Sequence, residues 1–386
     1  MPAEGHALLS ASGAHRWLAC TPSARLEEKF PDKAGTAAEE GTLAHAIVEE
    51  RLSRIIAGKR VGKTSAKLRK NPLYRQVMED HVDTYIAYVM DLYADAKERT
   101  ADALLVSEQQ VDYSRWAPGG FGTSDTMIIA NGVMDIIDFK YGKGVRVEAA
   151  GNKQLRLYAL GALERYDLLY DIRTVRIHIV QPRLDNESCE EMSAEALYKW
   201  AEGYLRPLAA QAYNGEGEFI PGEHCRFCRA AATCKARATA MLDVIGDEPA
   251  PALLTNDEIA VLLPRLDEIT HWVKQIKDYA LAEALAGGEI PGHKLVEGRS
   301  NRVIVNDADA IDILTGEGFL HSQITKMRGL SELEDLVGKK RLGDLIGHLI
   351  AKPTGKPVLV VETDRREAIN TAASAAADFN DDFKED

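Results

Sequence analysis

The chain has 386 residues, 45% of them hydrophobic and 28% charged, with a formal net charge of −13. That size and balance fit a globular chain with room for two domains and exclude a low-complexity or disordered one. No apolar run approaches the roughly 20 residues of a membrane span, and the first residues lack the blocks of a secretory leader, so no membrane association and a cytoplasmic location are expected.

In chain order, Ser10 and Ser12 offer N-caps for a short helix carrying Trp17 and Leu18, and Cys20 precedes Thr21-Pro22, where that helix must stop. Gly41-Thr42-Leu43-Ala44-His45 opens a second helix, with Ile47, Val48 and Leu52 on one side. On its own, a histidine such as His45 beside an apolar face reads as a core residue. From 51 to 75 there are nine basic residues (Arg51, Arg54, Lys59, Arg60, Lys63, Lys67, Arg69, Lys70 and Arg75) and no acidic one. The global charge disfavours a nucleic-acid partner, but this stretch has the footprint of phosphate-backbone contact. Residues 74–99 repeat apolar side chains at helical spacing (Val77, Val82, Ile86, Val89, Leu92). Residues 104–113 read as a strand with Glu108 in its middle, where a carboxylate must be paired or coordinating.

Residues 122–140 form the centre of the pattern. Two runs rich in Ile, Met and Val flank Asn131-Gly132, the strongest short hairpin signal because both turn positions need φ > 0. In a two-residue hairpin opposed positions sum to a constant. Ala130 therefore faces Val133, Ile128 faces Asp135, and Asp125 faces Asp138, with Lys140 on the same face as Asp138. Between them lie apolar positions on both faces, Met127, Ile129, Met134 and Ile136 on one and Ile128, Val133, Ile137 and Phe139 on the other, as in a central strand pair covered on both sides. Two facing carboxylates repel unless a proton or a cation sits between them, and oxygen ligands suit Mg²⁺ or Mn²⁺.

Residues 151–166 read as a helix with Gln154 and Tyr158 four apart on one face, and residues 174–181 as a fourth, alternating strand. The order describes an α/β core around a small mixed sheet. Five cysteines, an odd number in a reducing compartment, point to ligands rather than disulfides. Cys225-x2-Cys228-x5-Cys234 with the remote Cys20 fits a four-thiolate site for zinc or an iron-sulfur cluster, with Cys189 left over. His224 offers a local Cys3His zinc alternative to Cys20.

Taken together, Asp125, Asp138-x-Lys140 and Gln154-x3-Tyr158, preceded by Gly41-x3-His45 and Glu108, resemble the motif series of the PD-(D/E)XK nuclease superfamily. The remote cysteine with a downstream C-x2-C-x5-C resembles its RecB/AddB-like iron-sulfur branch, which includes AddB-type helicase-nucleases and CRISPR-associated RecB-like exonucleases. The whole chain resembles a phage- and prophage-encoded family of such proteins. The motifs cover roughly residues 8–240. One departure is Asp138, where many members carry Glu.

The resemblance implies a restriction-endonuclease-like core, a mixed central β-sheet flanked by helices, with iron-sulfur-tied helical segments. It implies that His45, Asp125, Asp138 and Glu108 bind Mg²⁺ or Mn²⁺, that Lys140 positions or activates the attacking water, and that Gln154 and Tyr158 orient the substrate phosphate. A 4Fe-4S cluster is implied on Cys20, Cys225, Cys228 and Cys234, with zinc the alternative. The implied activity is that of a deoxyribonuclease, an exonuclease used in phage DNA recombination or replication in the host cytoplasm. An endonuclease or nickase of the same fold, or a catalytically silent iron-sulfur DNA-binding module, are the alternatives. Lys59, Arg60, Lys63, Lys67, Arg69 and Lys70 are the DNA-contacting candidates.

Residues 1–245 are thus expected to form the nuclease domain, with a Pro-containing acidic linker at 246–251. Residues 246–371, which this linker opens, are expected to form an α+β extension. In it a capping box at Thr255-x2-Glu258 opens a helix to about residue 286, interrupted near Pro264. Short strands at 294–297 and 302–305 enclose a turn whose Arg299 and Arg302 can contact phosphate, and 352–357 is a further basic turn. Residues 372–386 form an acidic tail with Phe379 and Phe383, suited to docking a phage recombination or single-strand-binding protein.

Overall fold

The computed structural model describes residues 7–31, 36–242, 256–294, 296, 306–317 and 320–351. They divide into two compact units, residues 1–338 and 339–386. The expected linker at 246–251, the strands around Arg299 and Arg302, the basic turn at 352–357 and the acidic tail lie outside the described residues.

The first unit is built on a five-stranded mixed sheet in the order β1 (Leu104–Asp112), β2 (Phe121–Ala130), β3 (Val133–Phe139), β4 (Thr174–Gln181) and β5 (Asn186–Ser193). β3 and β4 run parallel and the other neighbours antiparallel. A parallel pair needs a crossover, and α6 (Lys153–Tyr170) supplies it, with Asn152 capping its start by accepting the Leu155 N–H at 3.1 Å. The chain opens with α1 (Ala14–Trp17) and α2 (Ser23–Glu27), continues through α3 (Thr36–Ile56), α4 (Ala66–Arg69) and α5 (Val77–Arg99), and after β5 forms α7 (Ala194–Trp200) and α8 (Arg206–Asn214).

Strand alternation sorts the hairpin's apolar residues onto two cores. Met127, Ile129, Met134 and Ile136 join Leu155, Leu157, Val175 and Ile177 and the N-terminal Trp17 on the face covered by α6. Ile128, Ile137 and Phe139 join Leu43, Ile47, Val82, Tyr85 and Val89 of α3 and α5 on the other. The sheet is covered by helices on both sides, which is why the end of β2 from Met127 to Ala130 and most of β3 are apolar on both faces.

Three local expectations need correction. α3 begins at Thr36 instead of Gly41, because Ala37, Ala38, Glu39 and Glu40 favour helix and outweigh the roughly 1 kcal/mol cost of one glycine. Ser10 and Ser12 cap nothing with their side chains: a 3-10 turn at Ala11–Gly13 leads directly into α1, and the Ser10 carbonyl accepts from Trp17 Nε1 at 2.9 Å. The sheet has five strands where four are predicted, β5 lying at its edge with half its residues exposed.

Beyond the core, α9 (Lys235–Leu242), α10 (Asn256–Leu285, with Pro264 inside it), α11 (Asp307–Gly316), α12 (His321–Ile324) and α13 (Leu330–Val337) complete the first unit. The second unit contains α14 (Lys339–Ile346), which buries Leu342, and a 3-10 turn at Gly347–Leu349. Among the described residues no helix is long and apolar enough to cross a membrane.

Candidate metal centre and cysteine pocket

The β2–β3 register is the one counted from the Asn-Gly turn: Ala130 faces Val133, Ile128 faces Asp135 and Thr126 faces Ile137. The ladder ends at that last pair. Asp125 and Asp138 are the next residues along each strand, but the expected direct pair between them is not part of the ladder, because the strands part here. There Asp125 Oδ2 accepts the Phe139 N–H at 2.8 Å, filling the place of a ladder bond. Tyr85 of α5, fully buried, donates to Thr126 Oγ1 at 2.8 Å and holds the hairpin at this fork.

The two aspartates look different ways. Asp125 turns toward α3, where His45 Nδ1 lies 3.5 Å from its Oδ2. The His45 ring meets the edge of Phe139 at 5.3 Å between centroids, which fixes its tilt. Glu108 completes the group. Its backbone stands at φ +48° between two regular pairs, Ser107 with Thr126 and Gln109 with Ser124, a left-handed conformation that costs a non-glycine residue of order 1 kcal/mol or more. Ligand atoms of His45, Glu108 and Asp125 all lie within 4.8 Å of one another.

Asp138 is almost wholly buried and faces α6. Lys140 Nζ lies 3.0 Å from its Oδ2 and donates to its Oδ1 at 3.2 Å and to Gln154 Oε1 at 3.2 Å. Gln154 Nε2 is 3.4 Å from Asp138 Oδ1 and donates to the Tyr158 hydroxyl at 3.2 Å. Asp138 Oδ2 receives no directed hydrogen bond despite the nearby ammonium. The expected residues thus fall into two adjoining groups, His45–Glu108–Asp125 and Asp138–Lys140–Gln154–Tyr158.

The electrostatics follow from this crowding. Burial, then the Asp138 charge, pushes the Asp125 carboxyl up to about 6. Burial, Asp125 and Glu49 push Glu108 up to about 7. For Lys140 burial disfavours the charge, but Asp138 and Asp125 outweigh it and hold the ammonium above its ordinary value. Burial and Asp138 likewise raise Tyr158, which stays a phenol. Clustered carboxylates raised in this way want a proton or a cation, and one imidazole with two carboxylates is a donor set for a hard divalent ion such as Mn²⁺ or Mg²⁺. The under-served oxygen of Asp138 next door fits the same need.

Sequence reasoning missed several supports. Gln181, buried, donates from Nε2 to the Gly142 and Val145 carbonyls at 2.7 and 2.8 Å, and its Oε1 accepts the Val147 N–H at 3.2 Å, clamping the loop that leaves Lys140. On the opposite face of the sheet Asp135 is buried and accepts from Arg176 Nε at 2.6 Å and Nη2 at 2.9 Å, with His178 Nε2 at 2.9 Å. The available signal was a second carboxylate on β3, on the face away from Asp138.

Cys20, Cys225, Cys228 and Cys234 all line one small cavity of about 20 Å³, together with Arg16, His224 and Arg237. All five thiols are free. Cys189 stands apart on β5, its Sγ 4.0 Å from His178 Nε2. His224 turns Nε2 toward the Ile220 carbonyl at 2.9 Å, which leaves Nδ1 as the ring nitrogen for the Cys3His alternative. Burial raises the Cys20 and Cys225 thiols, and burial with Glu27 pushes Cys228 up to about 12. A larger cavity of about 1210 Å³, between the N-terminal segment and α10, contains none of the expected metal ligands or cysteines.

The basic stretch is partly spent on structure. Arg51 is buried in ion pairs with Glu79 and Asp83 of α5, and Arg54 pairs with Glu50 at 3.0 Å. Arg69 donates to the Thr64 carbonyl. Lys59, Arg60, Lys63, Lys67, Arg69 and Lys70 are exposed.

Fold and site together define a mixed α/β protein with a histidine–carboxylate cluster at a parting strand pair and a separate four-cysteine pocket. The chain belongs to the family described as "Protein of unknown function (DUF2800)", whose model matches residues 6–367. Among solved structures, one titled "Crystal structure of SSO0001" is similar at 15% identity over 51% of this chain and 96% of that chain, with a TM-score of 0.22, too slight a likeness to carry an argument.

Proposed function

We propose that the protein is a divalent-metal-dependent deoxyribonuclease with a PD-(D/E)XK-type core, acting as an exonuclease, and that its four-cysteine pocket holds an iron-sulfur cluster or zinc. The observation that carries the reading is the convergence of His45, Glu108 and Asp125 within 4.8 Å of one another, beside a buried Asp138–Lys140 pair. His45, Glu108 and Asp125 would hold Mg²⁺ or Mn²⁺, with Asp138 adjoining. Such an ion supplies Lewis acidity toward the phosphate and toward the attacking water.

The chain's own groups divide the remaining work. Lys140 keeps its proton at neutral pH, so it serves as a cation and donor: it steadies charge growing on the phosphate and orients a water, and it is no general base. Gln154 Oε1 accepts a hydrogen bond from the Lys140 ammonium while its Nε2 faces Asp138 and Tyr158, which fixes the ammonium's direction. The clamp of Gln181 on the 142–147 loop keeps the backbone leaving Lys140 in place. The exposed lysines and arginines between 59 and 70 offer a track for the phosphate backbone.

Incubation with Mg²⁺ or Mn²⁺ and end-labelled linear, circular, single- and double-stranded DNA tests the reading. Linear DNA is degraded from its ends; cutting of closed circles makes the enzyme an endonuclease instead. Asp138→Ala and Lys140→Ala each lower cleavage by at least about a hundredfold and leave DNA binding intact. Full cleavage by a folded, contaminant-free double variant would sink the assignment of these residues.

A further inference from the structure

Arg237, on α9, is 3% exposed and lines the cavity that the four cysteines share. Its Nη1 donates to the Gln275 side-chain oxygen and lies 3.4 Å from the Cys225 carbonyl, both neutral acceptors. Its Nε is buried without any hydrogen-bond partner, and among the described residues it has no ion-pair partner. Arg16, the other guanidinium on this cavity, is matched by Glu27 at 3.2 Å. A buried guanidinium facing only neutral groups is costly, because desolvation is not offset by an opposite charge.

The pocket's own chemistry supplies that charge. Four thiolates around a 2+ core, whether Zn²⁺ or a 4Fe-4S core, leave about two net negative charges. We propose that Arg237 is the counter-ion of an anionic metal–thiolate centre on Cys20, Cys225, Cys228 and Cys234, an assignment that rests on the four-cysteine reading of this pocket. Arg237 touches none of the residues around Asp125 or Asp138 and acts by balancing charge at the cysteines.

This role gives Arg237 opposite effects in the two states. It stabilises the loaded protein and destabilises the stripped one, whereas a merely structural arginine would stabilise both. The test uses full-length wild type, R237Q and R237K purified without oxygen, with iron and zinc content, the rate of metal release to EDTA, and thermal melting before and after stripping. R237Q is expected to release metal at least about tenfold faster than wild type, and R237K to release it at nearly the wild-type rate. Loaded R237Q melts below loaded wild type, while stripped R237Q melts at or above stripped wild type. Unchanged release from R237Q, or a loss of stability in both states, including failure to fold in either, overturns the proposal. Wild type that holds neither iron nor zinc overturns the four-cysteine reading itself, before any variant is compared.

Discussion

Glu108 concentrates the cost of the site in one residue, with a left-handed backbone inside a strand and a carboxyl pushed up to about 7 by burial, Asp125 and Glu49. Its titration has the opposite sign to that of an ordinary salt-bridged carboxylate. Between the unfolded value of about 4.3 and about 7 the folded chain holds a proton that the unfolded chain has released, so metal-free protein loses stability as pH rises through that window. Glu108→Gln removes the effect. In EDTA the melting temperature of wild type relative to this variant should therefore fall between pH 4.5 and 8, and saturating Mn²⁺ should abolish that fall by taking the proton's place. A difference that stays flat with pH would remove Glu108 from the cluster. At this scale part was legible: counting from one Asn-Gly turn gives the register from Ala130–Val133 to Thr126–Ile137, and the ladder stops one step short of the expected Asp125–Asp138 pair. The division of labour was not, because the rotation of Asp125 to α3 and of Asp138 to α6 depends on helices distant in sequence. The Asp135–Arg176–His178 group escaped notice for the same reason, since the parallel register of β3 and β4 leaves no local mark.

Among the elements, α6 ties the fold to the chemistry, because one helix carries Gln154 and Tyr158 and also crosses from β3 to β4. Its close seat on the sheet depends on Gly161, where an added Cβ would meet the Asp112 carbonyl oxygen and Val111 Cβ, each at 2.9 Å. Backbone cannot step aside as a flexible side chain can. Gly161→Ala should cost about 1–3 kcal/mol by overpacking, and it should also slow cleavage by lifting Gln154 from Lys140. Gly203→Ala is the control: its Cβ would meet nothing within 4 Å, and it should melt at or slightly above the wild-type temperature. A Gly161→Ala protein with wild-type melting and activity would show that the helix tolerates a shift. The helices and central strands announce themselves through period and apolar content. β5, Asn-Glu-Ser-Cys-Glu-Glu-Met-Ser, does not, because it is an edge strand whose exposed positions carry polar residues and whose pairing is set by β4.

For the whole molecule, the N-terminal segment is the piece whose place in space least follows its place in sequence. Thr21 Oγ1 donates to the Glu216 carbonyl at 2.6 Å, Arg25 Nε to the Tyr213 carbonyl at 2.7 Å, and the Arg229 N–H to Glu27 Oε1 at 2.8 Å, so the chain's first helices lie against segments near residue 220. On the other side, Tyr113 donates to the Leu9 carbonyl at 3.1 Å and Trp17 enters the core on α6's face of the sheet. The proposed metal centre on Cys20 and Cys225 would close a loop of roughly two hundred residues, and constraining the unfolded chain to that extent would be worth up to about 5 kcal/mol in the chain-entropy model. The cysteine spacing hinted at this closure, but the hydrogen bonds that register the two ends could not be read from it. Cys20→Ser should release the bound metal, lower the melting temperature, and raise hydrogen exchange in residues 7–31 and 219–237, while β2 to β4 keep their protection because their ladders do not involve the cysteines. Cys189→Ser, on exposed β5, should leave all three measurements as in wild type. If Cys20→Ser instead opened the sheet and the N-terminal segment together, the centre would belong to the folding core of the whole unit, and the N-terminal helices would be part of the fold's foundation instead of a strap laid across it.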